Sequence, residues 1–310
     1  MAPFIRQRFG VQTERFSTDW GATYNDQANE LIGDMAMTVG TSRPVYLIGH
    51  SNGGMVSRYV ARKNTYNVQG LVTIGTPHWG APAATYGASI ANVIVGLGTQ
   101  FHVCADATMC NIASELDKGW QTIARPARRA QPILYDMTPG TPVHGYLNVP
   151  EPFPHFGIQT SIWARHRPFA LARDLGGSTS AFGGGFAGPC SDPESACGGR
   201  AFAQAVERAE ARYRTCAVIN NIWTVFKALQ CQGYIAFIEG ADSYHQRITS
   251  GSEIDQDGIV PLSSQLYPNT PTGDQYTIYQ SVTHAGQTRS GAVRDAVNAI
   301  FLGRLGVTPR

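Results

Sequence analysis

The hexapeptide Gly49-His50-Ser51-Asn52-Gly53-Gly54 constrains this chain more than any other stretch, because of what flanks it. Before it, Val45-Tyr46-Leu47-Ile48 is a short run of β-forming residues preceded by Pro44, which predicts a buried strand ending at Gly49. After it, Met55, Val56, Tyr59 and Val60 recur at helical spacing, which predicts a core-facing helix reaching about Lys63. A second buried strand, Gly70-Leu71-Val72-Thr73-Ile74, follows and is closed by Gly75-Thr76-Pro77. Strand, helix and strand in this order form a βαβ unit, whose crossover makes the two strands parallel.

The turn inside that unit reads G-x-S-x-G. A serine on a sharp strand-to-helix turn is forced into a strained backbone conformation, and its neighbours must be glycine wherever a Cβ would strike the strand or the helix. Gly49 and Gly53 are expected to meet that demand, with Gly54 adding room. The competing reading is a tight glycine-rich turn with a solvated serine.

Upstream, Asn25 to Val39 reads as a helix and Val11 to Thr18 as the strand before it, so the first eighty or so residues alternate as α/β layers. Beyond Pro77 the alternation breaks. Ile90 to Leu97 reads as a lid helix or a core helix, and residues 155–162 as a core strand. Asp174 to Arg200 carries eight glycines in 27 positions and reads as a loop, and Ala201 to Leu229 as a helix. Tyr276 to Val282 predicts a strand and Ser290 to Leu305 a closing helix. The expected architecture is one α/β domain over residues 1–310, a mostly parallel sheet flanked by helices. Its core spans about 1–80, 131–163 and 250–310, with cap insertions at about 81–130 and 164–249.

Composition narrows the partners. With 43% hydrophobic and 15% charged residues, the chain can fill a large core, and its 24 basic and 22 acidic side chains nearly cancel. Its one basic cluster, Arg125, Arg128 and Arg129, is short, so neither nucleic acid nor an anionic membrane surface is expected as a partner. No apolar run is long enough to predict a membrane span. The six cysteines, Cys104, Cys110, Cys190, Cys197, Cys216 and Cys231, show no C-x-x-C and no zinc-like pairing with histidine, so no metal site is expected. Disulfides in an oxidising compartment are the favoured reading, buried thiols the competing one. Cys104–Cys110, Cys190–Cys197 and Cys216–Cys231 would close the shortest loops. A secreted or periplasmic protein is expected on that ground, although Met1 to Arg6 contains no apolar signal-peptide core.

A serine hydroxyl is a weak nucleophile until a base, itself oriented by an acid, takes its proton. Downstream of Ser51, Asp255-Gln256-Asp257-Gly258 offers a carboxylate before a turn, and Val282-Thr283-His284 places a histidine after a strand. Asp257 is the candidate acid, with Asp255 and Asp242 as substitutes and a turn-capping role as the plainer reading. Of the eight histidines, His284 alone sits at a strand end beyond that acid; an ordinary surface histidine is its alternative. His50, His78 and Trp79 are candidate pocket-lining positions, with His50 expected to point away from the serine.

These segments resemble the bacterial lipase and esterase branch of the α/β-hydrolase superfamily. The resemblance rests on Gly49 to Gly54, on Leu71-Val72-Thr73-Ile74-Gly75-Thr76-Pro77-His78-Trp79-Gly80, and on Asp136-Met137-Thr138-Pro139-Gly140-Thr141-Pro142 with Leu147-Asn148. It extends to Asp257-Gly258-Ile259-Val260-Pro261 with Ser264-Gln265. It implies an α/β-hydrolase fold with Ser51 as nucleophile, Asp257 as orienting acid, His284 as base and the Asn52 backbone N–H as an oxyanion donor. The implied activity is hydrolysis of carboxylic esters with apolar acyl chains, on a small-molecule or lipid substrate, with transient lipid-interface contact through the cap. No cofactor is implied; some relatives hold a structural calcium, for which Asp255 is a weak candidate. An acyltransferase or amidase with the same triad, or a non-catalytic binding protein on the same fold, are the alternatives. In such proteins a strand-end loop ahead of the first helix gives a second oxyanion donor. Here Phe4 to Gly10 reads as the tail of that helix, so the chain is expected to lack the loop and to be a truncated frame.

Overall fold

The computed structural model describes residues 1–19, 21–85, 131–161 and 211, and, toward the C-terminus, 255–257, 259–267, 269, 274–279, 282, 284 and 286–309. In chain order the elements are α1 (Ala2–Phe9), α2 (Tyr24–Thr38), β1 (Pro44–His50), α3 (Asn52–Arg62), β2 (Asn67–Ile74), α4 (Pro82–Thr85), α5 (Gln131–Met137), α6 (Pro142–Leu147), β3 (His155–Thr160), α7 (Leu262–Gln265), β4 (Gln275–Ile278) and α8 (Gly291–Gly303). The four strands lie side by side in the order β1-β2-β3-β4 and every pairing is parallel. Their carboxyl ends therefore share one edge of the sheet, where an open α/β sheet places its ligands.

Helices cover both faces. On one, α2 and α3 bury Leu31, Met35, Met55, Val56 and Val60 with Leu47 packed against them. On the other, α1 and α8 bury Ile5, Phe9, Val293, Val297 and Phe301 over Val72, Ile74, Phe156 and Ile158. Leu47 and Ile48 pack into opposite clusters because successive strand side chains alternate between faces. Thr23 caps α2 by accepting the Asp26 N–H at 3.1 Å, and the Ser290 side chain accepts from Val293 at the start of α8.

The strands and helices expected around Ser51 are present, with α3 starting at Asn52, three residues before the apolar spacing that signals it. Two expectations change. Residues 11–18 form no strand: Arg6 donates to the Thr13 carbonyl at 2.8 Å, and β1 pairs with β2 alone among the described strands. With no ladder to join, a mostly polar segment gains nothing from extending. The strand read as Tyr276 to Val282 ends at Ile278, and Val282 lies in a loop. The stretch read as helical over Phe4 to Gly10 is helix α1, closed by Gly10 in the left-handed region. Ile90 to Leu97, Asp174 to Arg200, the Ala201 to Leu229 helix apart from Ala211, Asp242 and all six cysteines lie outside the described residues.

Candidate active site

Ser51 stands between β1 and α3 with φ 53° and ψ −129°. This is a costly conformation for a residue with a Cβ. Its N–H donates to the Ile74 carbonyl at 2.9 Å, tying the turn to the end of β2. A Cβ on Gly49 would lie 2.5 Å from the Gly53 carbonyl oxygen, and one on Gly54 would run into the Thr76 side chain. At Gly53 a Cβ would meet nothing within 4 Å, so the glycines the turn requires are Gly49 and Gly54, not Gly49 and Gly53 as the motif suggests.

His284 enters from the loop after β4. Its Nε2 lies 2.7 Å from the Ser51 Oγ and its Nδ1 2.7 Å from the Asp257 Oδ2. A carboxylate accepts, so Nδ1 carries the proton and Nε2 accepts from the serine hydroxyl. Asp257 is fully buried, and its Oδ1 accepts the N–H groups of Ile259 and Val260 at 3.0 and 2.8 Å. The His284 N–H donates to the Asp257 carbonyl at 2.8 Å, so backbone and side chain hold the two residues in register. Asp255, the substitute acid, instead accepts from Ser161 Oγ at 3.0 Å. Asn52 occupies the first position of α3, where a helix has no carbonyl of its own for the N–H.

His78 does not line an open pocket as the sequence suggested. His78 is fully buried, with Nδ1 3.0 Å from Arg58 Nη1 and Nε2 3.2 Å from Thr73 Oγ1. Burial, then the Arg58 charge, hold its pKa well below the usual histidine value. Arg58, itself fully buried on α3, also donates to Glu151, Asn148 and the Leu147 carbonyl, and Glu151 lies 2.8 Å from His155. A buried guanidinium needs such partners, and the inward demand of this network draws His78 off any open pocket. His50 turns to the Gln287 Oε1 at 2.9 Å and the His284 carbonyl at 3.0 Å. Trp79 alone of the three is half exposed, on the segment that leaves β2 at the Ser51 edge.

Two buried glutamines close the site, neither marked by a motif. Gln27 on α2 accepts from Asn52 Nδ2 at 2.9 Å and donates to the Ala22 carbonyl at 2.7 Å, tying residues beside the elbow to its first helical position. Its one sequence signal is a polar side chain inside the stripe Tyr24, Gln27, Ala28, Leu31, Met35. Gln287 reaches Asp257. Among the described residues no group of three or more His, Cys, Asp or Glu is placed to hold a metal. No described helix is long and apolar enough to cross a membrane.

Residues 13–110 match a family model described as the PGAP1-like alpha/beta domain, an α/β-hydrolase-like family. The match takes in β1, the elbow and β2. No curated protein matches the chain. The parallel sheet with helices on both faces and this match agree: the chain has an α/β-hydrolase fold.

Proposed function

We propose that the protein is a serine hydrolase that cleaves carboxylic esters, of the bacterial lipase and esterase kind, through an acyl-enzyme on Ser51. The observation that carries this reading is the unbroken line from Ser51 Oγ to His284 Nε2 and from His284 Nδ1 to Asp257, 2.7 Å at each step. As Oγ attacks the ester carbonyl, His284 takes its proton, and Asp257 stabilises the imidazolium without itself being protonated. The carbonyl oxygen, now an oxyanion, accepts from the Asn52 N–H at the positive end of α3. The imidazolium gives its proton to the departing alcohol. A water then loses a proton to His284, attacks the acyl carbon and releases the acid, restoring Ser51. The half-exposed Trp79 at this edge supports an apolar acyl group as the substrate's reacting half.

Ser51→Ala is expected to abolish hydrolysis of p-nitrophenyl esters and labelling by a fluorophosphonate while thermal unfolding stays unchanged. His284→Ala is expected to match that loss, and the double variant to lose no more than either alone, because triad members act as a unit. Losses that multiply in the double variant would show that the two residues do not share one mechanism. The cysteine content supports export to an oxidising compartment. Alkylation of the folded protein without reductant, read by mass spectrometry, should then find few free thiols, whereas six labelled cysteines would point to a reducing compartment.

A further inference from the structure

Gln287 is fully buried three residues beyond His284 and makes contacts in two directions. Its Nε2 lies 2.8 Å from Asp257 Oδ2, the same oxygen that meets the His284 ring, and 2.6 Å from Thr160 Oγ1 at the end of β3. Its Oε1 lies 2.9 Å from His50 Nε2. The amide can sit only this way round, since the reverse would set its oxygen against a carboxylate. His50 Nε2 faces two acceptors, Gln287 Oε1 and the His284 carbonyl, so it carries the proton and donates to both. Room for the amide comes from Gly75, at φ +55°, where any Cβ would strike the Gln287 side chain.

We propose that Gln287 is a positioning residue for the base: its amide fixes the Asp257 oxygen that orients the His284 ring and, through His50, holds the backbone carbonyl of His284. This rests on the triad reading above. The chemistry requires such a restraint. A carboxylate that keeps one lone pair directed at Nδ1 holds the imidazole plane toward Ser51, and a second donor on the same oxygen spreads its charge. Facing the His284 ring are the Asp257 carboxylate and the His50 imidazole, whose centroid is 4.9 Å away. Burial, then the proximity of His284, push the His50 pKa down to about 4, so it remains neutral and adds no charge where the imidazolium forms.

The test is the rate of fluorophosphonate labelling at Ser51, followed against pH as a first-order rate constant, which depends on active molecules and not on how many have folded. Gln287→Met keeps the volume and removes both hydrogen-bonding ends. Its rate constant is expected to fall about tenfold, with the acidic limb moved to higher pH, because an Asp257 oxygen relieved of one donor holds the His284 proton more tightly. Gln287→Glu is expected to recover rate at low pH, where its protonated carboxyl donates to Asp257, and to lose it as the second carboxyl ionises. If Gln287→Met does not fold, Thr160→Val loosens the same amide from the other side and should move the limb in the same direction. A Met variant with the wild-type rate and limb overturns the proposal, as does a slower variant with an unmoved limb and no rescue by Glu. Wild-type protein that is not labelled at Ser51 overturns the triad reading itself, and the role of Gln287 with it.

Discussion

At Ser51 the chain holds a left-handed φ that costs on the order of 1–3 kcal/mol, and the surrounding contacts leave it no alternative. The Gly49 position is filled on one side by the backbone of Gly53 and Gly54, whereas Gly53 faces open space. Gly49→Ala is therefore expected to destroy Ser51 labelling and to destabilise the fold by roughly 2 kcal/mol or more, the usual outcome of overpacking without room to relax. Gly53→Ala, inside α3, should keep its labelling rate and gain up to about 1 kcal/mol, since alanine is the better helix former. Urea unfolding of both variants checks this, and equal losses would mean the turn does not distinguish the two positions. The motif was legible as G-x-S-x-G, but a string of letters does not say which glycine meets backbone. Gln287 and Gln27 were illegible for a related reason, because a buried amide acquires its role from partners that sequence distance hides.

Phe301 on α8 packs its ring 5.3 Å from Phe9 of α1 and 5.7 Å from Tyr46 of β1, so one side chain joins the two helices of that face to the strand that carries the elbow. Phe301→Ala is expected to cost about 3–5 kcal/mol in urea unfolding, the range for a buried aromatic whose cavity cannot collapse. A loss under about 1 kcal/mol would mean that α1 and α8 close over the gap. The elements that sequence located were strands written as short runs, β1, β2 and β3, and the helices α2, α3 and α8. Residues 11–18 misled because β-propensity describes fit to a neighbouring strand, and β2 is the only strand that β1 pairs with among the described residues. Arg58 carries no signal of its role in the sequence: it is a charged residue on α3, yet it is fully buried and binds the Leu147 to Glu151 segment.

At the scale of the molecule, four histidines among the described residues share one pH response. His50, His78, His144 and His155 all have pKa values held below the usual 6.5, chiefly by burial, His50 at about 4. The folded state then binds fewer protons than the unfolded one between those values. Their contribution to stability is complete above about pH 6.5 and is lost as pH falls below it, for His50 down to about 4. Thermal unfolding is expected at a clearly lower temperature at pH 5 than at pH 7.5, and a flat profile would show that these rings protonate without strain. Size adds a different consequence. Among the described strands, sheet order follows chain order, and 233 residues separate Ser51 from His284. During synthesis the serine is in place once β1 and β2 have emerged, but its proposed base comes only after β4 and is held once the turn before α8 has docked. An unfinished chain thus carries a serine without its proposed partner, and the proposed chemistry waits for the segment between β4 and α8.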